Sequence, residues 1–316
     1  MDLAGLRAGG KAAMARALGL IERRPEADET IALLSAAWAD PVGQVIGLTG
    51  PPGVGKSTLT SSLIAAWRAQ GLGVGVIAVD PSSKRTGGAL LGDRTRLRTD
   101  PADEKIFVRS MAARDRLGGL AQLTVAAMVL MRAVYDRVLI ETVGVGQSET
   151  DVAMVADTIV FCVQPGSGDS LQFMKAGIVE VPHVAVVTKS DMVAAARRAQ
   201  ADLKGALSLT DEGAEGWEVP VLRVAATLGE GVDELVDALD AHAAWRAGKG
   251  RGEAARAAQA RAWLADSVRD RFGTFGLTRA GGLLELPPGT SPFAREREIA
   301  RVLVQALGPT SAEEGR

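Results

Sequence analysis

Between Gln44 and about residue 246, short apolar runs rich in β-branched residues alternate with longer segments of helical spacing. The runs are VIGLTG (45–50), VGVIAVD (74–80), RVLIETVG (137–144), TIVFCVQP (158–165), HVAVVTKSD (183–191) and VPVLRVAA (219–226), with KIFVRS (105–110) as a further candidate. Strands that are apolar throughout, rather than alternating, are buried on both faces, and the segments between them supply the cover. The pattern predicts an α/β fold with a mostly parallel sheet covered by helices on both faces. Each run ends in a polar or glycine-rich segment. Ligands of such sheets bind at the carboxyl ends of the strands, so candidate chemistry is sought there.

The flanks read differently. Residues 1–40 are rich in Ala, Leu and Arg; Leu18, Ile21 and the run Ile31–Leu34 fit a helical layer punctuated by Pro25 and Pro41. After about residue 246 the strand pattern stops, and AGKGRGEAARAAQ resembles a linker entering a helix. Leu264, Val268 and Phe272 recur at i, i+4 there, and Ile299, Val302, Leu303, Ala306 and Leu307 trace a stripe on a last helix. Such stripes pack either on their own domain or on a second copy of the chain. The expected division is an N-terminal helical extension (1–40), a nucleotide-binding domain (41–247) and a C-terminal helical arm (248–316).

Composition narrows the classes. The chain has 316 residues, 47% hydrophobic and 23% charged, which is enough apolar material for a core and excludes a disordered chain. Net charge is −2 and no long basic run occurs, so neither nucleic acid nor an anionic membrane surface is an expected partner. The one cysteine, Cys162, sits inside TIVFCV as a small buried hydrophobe and has no partner for an internal disulfide, which suits a reducing cytoplasm. The N-terminus lacks an apolar core of signal-peptide type. The most apolar helix candidate, Leu120–Tyr135, is interrupted by Gln122 and Arg132, so no bilayer span is expected.

The strongest chemical signal is Gly50-Pro-Pro-Gly53-Val54-Gly55-Lys56-Ser57-Thr58, which follows one apolar run and opens a helical segment. This is G-x-x-x-x-G-K-[ST] in its strand–loop–helix setting, the P-loop of nucleoside triphosphate hydrolases. Its glycines let backbone N–H groups face phosphate oxygens, and the helix N-terminus adds partial positive charge. Lys56 has the reach for the β and γ phosphates, and the Ser57 hydroxyl is a magnesium ligand by type. The motif specifies a nucleoside triphosphate but not its base.

Two further elements address the base. Thr188-Lys189-Ser190-Asp191 closes a strand and resembles the [NT]-K-x-D element of GTPases, in which the aspartate accepts two hydrogen bonds from guanine and the lysine stem packs along the ring. Adenine cannot supply both donors and would leave Asp191 unpaired. Ala225-Ala226 fits the loop whose backbone N–H meets the guanine carbonyl. The acids Asp80, Asp93 and Glu141 lie at or after strand ends and, with Ser57, are the candidate magnesium set; Lys56, Asp80 and Glu141 are the candidate catalytic residues. After Gly144 stands Val145, which cannot orient water as the glutamine of Ras does, so intrinsic hydrolysis should be slow. The loops 80–88 and 143–149 suit segments that rearrange when the γ-phosphate leaves.

Taken together, DPSSKRTGG, LGDRTR, RSMAAR–LGG, ETVGVGQSE and PGSGD–LQ–K–GI resemble the MeaB/ArgK family, the GTPases associated with methylmalonyl-CoA mutase, over roughly residues 10–310. The resemblance implies a GTPase domain with an N-terminal helical extension and a C-terminal dimerisation arm, acting as a homodimer. It also implies a chaperone that uses GTP, GDP and Mg2+ to gate cofactor loading and to protect an adenosylcobalamin-dependent acyl-CoA mutase. Lys56, Ser57, Asp80, Asp93 and Glu141 fall on the family's nucleotide and magnesium positions. Gln164 to Asp169, continuing through Lys175, falls on its third switch. The sequence departs there, with Ser170, Phe173 and Ala176 in place of Glu, Gly and Lys, and with Thr188 where Asn is commoner. A paralogous mutase is therefore a second reading of the partner. Two other classes share parts of the pattern. A metal-insertion GTPase needs clustered soft or imidazole ligands, whereas Cys162, His183 and His242 are widely spaced. A kinase or transport ATPase would need adenine, which Asp191 opposes.

Overall fold

The computed structural model describes residues 1–80, 97, 99–112, 122–142, 152–166, 182–208, 216–307, with the side chains of Asp80, Ala112, Gln122 and Leu307 left aside. Three helices lead, α1 (Leu3–Ala8), α2 (Gly10–Arg23) and α3 (Asp28–Ala39). Then come β1 (Gln44–Thr49), α4 (Lys56–Ala69), β2 (Val74–Asp80), β3 (Ile106–Ala112), α5 (Gln122–Arg132), β4 (Arg137–Glu141) and β5 (Thr158–Val163). β6 (Val184–Val187), α6 (Val193–Leu207), β7 (Val221–Arg223) and α7 (Val232–Ala247) complete the alternation. The chain ends on α8 (Arg251–Ala280) and α9 (Pro292–Leu307).

The seven strands form one sheet in the order β3-β2-β4-β1-β5-β6-β7, and every pairing is parallel. KIFVRS is a true strand, the edge strand β3. Period-two alternation then sorts each strand's side chains between two cores. Ile46, Leu48, Val76, Leu139, Val160 and Val186 pack with Leu59, Leu63 and Trp67 of α4 and Leu235 and Leu239 of α7. Val45, Ile77, Val138, Ile140 and Ile159 pack on the other face with α2, α3 and α5. Among the described residues no helix is long and apolar enough to cross a membrane.

The C-terminal helices pack largely on their own chain. Leu264, Val268, Ile299 and Leu303 are at most 1% exposed, and they belong to the same core cluster as Leu18 of α2 and Leu34 of α3. Of the two covers open to these stripes, this chain's own helices take these four positions. Phe275, Val302 and Val304 remain exposed. α8 breaks at Gly273, whose φ of 66° and ψ of −165° lie outside the helical region, and this lets the chain turn back toward α3.

Candidate functional site

β1 delivers the chain to the carboxyl edge of the sheet, where Gly50 turns at φ 136° against the neighbouring strand β5. A Cβ there would lie 2.2 Å from the Cys162 carbonyl oxygen, so only glycine fits. The adjacent Cys162 thiol is fully buried, and burial pushes its pKa up to about 12, so it stays protonated and inert. Gly55, at φ 103°, is the N-cap of α4 and aims the first turn of that helix into the loop. Lys56 is only 6% exposed, and its Nζ donates to the carbonyls of Gly50 (2.7 Å) and Pro51 (3.1 Å). Gly53 is exposed on the loop and Thr58 on the first turn of α4, while Val54 is buried.

Glu141 ends β4 directly beside β1 and is 6% exposed. Its carboxylate accepts from the hydroxyl of Ser57 at 2.5 Å and from that of Thr60 at 3.1 Å. Sequence reading named Ser57 and Glu141 but missed Thr60. Its signal was the i, i+3 spacing from Ser57, which puts both hydroxyls on one face of α4. The backbone of Asp80 ends β2 two residues beyond Ala78, the register partner of Glu141. Asp93, Val145, Asp169, Ser170, Phe173, Lys175 and Ala176 lie outside the described residues, as do loops 81–88 and 143–149.

The TKSD element is tied to the phosphate loop. The buried Thr188 hydroxyl lies 2.6 Å from the Val54 carbonyl and 2.9 Å from that of Val163, with one proton to share between them. Lys189 adopts φ 51°, and its Nζ donates to the Gly53 carbonyl (2.9 Å) and to Gln164 Oε1 (2.5 Å). Asp191 is exposed at the same mouth. The Ala225–Ala226 loop joins the cluster through Ser62 of α4, whose hydroxyl donates to the Ala226 carbonyl at 2.9 Å, and the Ala225 N–H donates to the Glu230 carbonyl. Ser62 is a member of this network that sequence reading did not single out, and Gln164 was named only as the start of the third-switch segment. Five chain segments far apart in sequence therefore converge at the strand ends.

The two histidines correct one expectation. Spaced widely in sequence, His183 and His242 meet with ring centroids 4.3 Å apart, enclosed by Trp217 and Trp245. His183 Nδ1 accepts from the Ile159 N–H (3.0 Å), and His242 Nδ1 lies 2.8 Å from the Thr158 hydroxyl, which itself accepts from Gln44. Burial pushes His183 down to about 4 and His242 down to about 3. These are neutral rings at the amino end of the strands, away from the phosphate loop.

Comparison with known proteins follows the same lines. The family described as Methylmalonyl Co-A mutase-associated GTPase MeaB matches residues 14–276. GTPase ArgK of Escherichia coli is 37% identical over 268 residues, 82% of this chain and 80% of that protein. The mouse mitochondrial methylmalonic aciduria type A homolog is 40% identical over 228 residues, 71% of this chain and 55% of that protein. A crystal structure described as LAO/AO transport system kinase superposes with a TM-score of 0.67 at 27% identity and covers 96% of each chain.

Proposed function

This chain belongs to the MeaB family of GTPases, and from that premise we propose that it is a GTP-driven chaperone of an adenosylcobalamin-dependent acyl-CoA mutase. It gates cofactor loading and protects the mutase, which on this reading is methylmalonyl-CoA mutase. A paralogous acyl-CoA mutase is the second reading, favoured by the altered third-switch residues Ser170, Phe173 and Ala176. The observation that carries the nucleotide assignment is the Thr188–Val54 and Lys189–Gly53 hydrogen bonding, which joins base reader and phosphate cradle in one site. The family description and the mouse relative's name support the mutase. A metal-insertion role is disfavoured because both histidine Nδ1 atoms are engaged in the core.

In this reading Gly50, Gly53, Val54, Gly55, Lys56, Ser57 and Thr58 cradle the phosphates, and Thr188, Lys189, Asp191, Ala225 and Ala226 hold guanine. Lys56 leaves its carbonyl partners for the β and γ oxygens and stabilises the charge developing in transfer. Magnesium prefers oxygen ligands, and the Ser57 hydroxyl and Glu141 carboxylate, already in contact, fit that preference. Ser57, Asp80, Asp93 and Glu141 would hold it, and when bound it offsets negative charge on the phosphates. Thr60 keeps the second Glu141 oxygen in place. With Val145 where Ras has glutamine, water is poorly oriented and turnover in the isolated protein is slow. The protein acts in the cytoplasm, with 41–247 as GTPase domain between the helical segments 1–40 and 248–316. Its homodimer draws on the exposed Phe275, Val302 and Val304 of the C-terminal helices.

The test is GTP turnover with and without each acyl-CoA mutase encoded in the same genome, repeated with Asp169→Ala and Lys175→Ala. The cognate mutase should raise the rate, and both variants should blunt that rise while GDP binding is kept. If no mutase binds in either nucleotide state or changes the rate, the chaperone reading is wrong and the GTPase core alone stands.

A further inference from the structure

At the amino end of the sheet, Asp157 is 4% exposed and accepts from the Val45 N–H at 2.9 Å. Arg256 of α8 grips it through Nε (2.8 Å) and a terminal nitrogen (3.0 Å), and Arg246 of α7 reaches it at 3.3 Å. Arg132, the last residue of α5, is close enough to feel both Asp157 and Arg256 but is arranged differently. It is 3% exposed, its Nε is buried without a hydrogen-bond partner, and no carboxylate among the described residues lies within ion-pair distance. Its guanidinium carbon stands 5.3 Å from the ring centre of Trp38 on α3. Burial, with repulsion from Arg256, pushes its pKa down to about 10, against the pull of Asp157, so it remains a cation at neutral pH.

A buried cation with neither an anion nor a full set of acceptors is strongly unfavourable. Beside Arg132 lies a half-open crevice with about 20 Å³ of inner space, lined among others by Trp38, Met128, Arg132, Arg256, Gln259 and Trp263. About 10–15 Å³ suffices for one water-sized particle, so the inner space beside Arg132 takes a single small species. The nearest polar groups are the two guanidinium groups and one amide, and Gln259 already spends its nitrogen on the Ala153 and Ala156 carbonyls. The rest of the wall is aromatic and aliphatic. A water there would find few acceptor-seeking partners beyond Arg132, whereas a weakly hydrated anion gains from the cations and tolerates the apolar wall.

We propose that this cavity is a monatomic anion site, taking chloride against Arg132. The site lies away from the phosphate loop and does not depend on the function proposed above. Its walls come from α3 and α5 on one side and α8 on the other, so occupancy fastens the C-terminal helices to the GTPase core. A ligand bound only by the folded state raises stability with the logarithm of its concentration above Kd.

Thermal unfolding of the full chain at constant ionic strength and pH, with sodium gluconate exchanged for sodium chloride, reads this directly. The midpoint should rise logarithmically with chloride, bromide should substitute, and Arg132→Met should remove the dependence. Because that variant alters a buried residue, crystals of the unaltered protein soaked in bromide supply a second reading, an anomalous peak within hydrogen-bond reach of Arg132 Nε. Equal midpoints in chloride and gluconate, the same halide dependence in Arg132→Met, or water in the cavity of the bromide-soaked crystals would each overturn the proposal.

Discussion

Mild acid should destabilise the fold through His183 and His242, by an amount the core geometry sets. His183 accepts at Nδ1 from a backbone N–H, and His242 Nδ1 shares a hydrogen bond with the Thr158 hydroxyl. Protonation would set N–H against N–H at the first and place a charge in the core at the second. His242 Nε2 is already buried without a partner. Burial, aided by Arg246 and, for His242, by His183 itself, lowers the pKa from 6.5 to about 4 and about 3, while Asp157 opposes the shift. With folded values below unfolded ones, the stabilisation is present above pH 6.5 and is lost as pH falls toward those values. Between pH 7.5 and 5.5 the unfolded chain gains about 1.4 kcal/mol per histidine, or about 3 kcal/mol for both. That is a large share of the roughly 5–15 kcal/mol typical of a folded domain. Urea denaturation at the two pH values, followed by the fluorescence of Trp217 and Trp245 against the pair, measures it. His242→Asn keeps an acceptor for Thr158 and cannot titrate, so it should lose about half of the pH dependence. The comparison cancels groups such as Glu296, whose pKa burial raises and whose contribution runs the other way. Equal pH dependence in parent and variant would refute the argument.

Lys56→Ala should still fold but lose GTP hydrolysis by about 10²–10³-fold or more in single-turnover assays, since it removes a charge aimed at the transferring phosphoryl group. Asp191→Asn should shift preference from guanine to xanthine nucleotides, and calorimetry that finds equal GTP and ATP affinity in the parent would remove the guanine assignment. Thr60→Val should leave the Ser57–Glu141 contact but remove the Thr60 donor from the second Glu141 oxygen, weakening the magnesium dependence of turnover more than GDP affinity, as a magnesium titration at fixed GTP would read. Asp157→Asn should cost about 3–5 kcal/mol in denaturant unfolding, because it leaves Arg132, Arg246 and Arg256 buried around a neutral amide.

The parts legible in sequence were those in which local chemistry decides structure. A parallel strand is buried on both faces, so β1, β5 and β6 are buried at every position, with apolar residues throughout their middles, and announce themselves without knowledge of their neighbours. The phosphate loop is likewise local, because Gly50 and Gly55 need their backbone angles whatever packs outside. The closing contacts were not local. That Thr188 would hold the Val54 carbonyl could be expected only once TKSD was placed two strands from the loop, and Thr60 became visible only when Glu141 was seen above its helix face.

Amphipathic stripes carry a different ambiguity. Leu264, Val268, Ile299 and Leu303 state that something apolar covers them, but spacing does not say whether the cover is α3 or a second chain; the core they share with Leu18 and Leu34 shows it to be this chain at these positions. Charge reverses the problem. Arg132 reads in sequence as an interruption of an apolar helix, the kind of residue that ends at solvent. In the fold α3 and α8 close over it and leave a guanidinium 3% exposed beside Trp38. Arginine is almost never fully buried unless paired, and its long stem normally carries the charge to water. Here the nearest carboxylate, Asp157, is already held by two other arginines. A periodicity argument weighs a residue by its own polarity, whereas the energy of a buried charge depends on the partner it lacks, which is a property of three helices brought together from opposite ends of the chain.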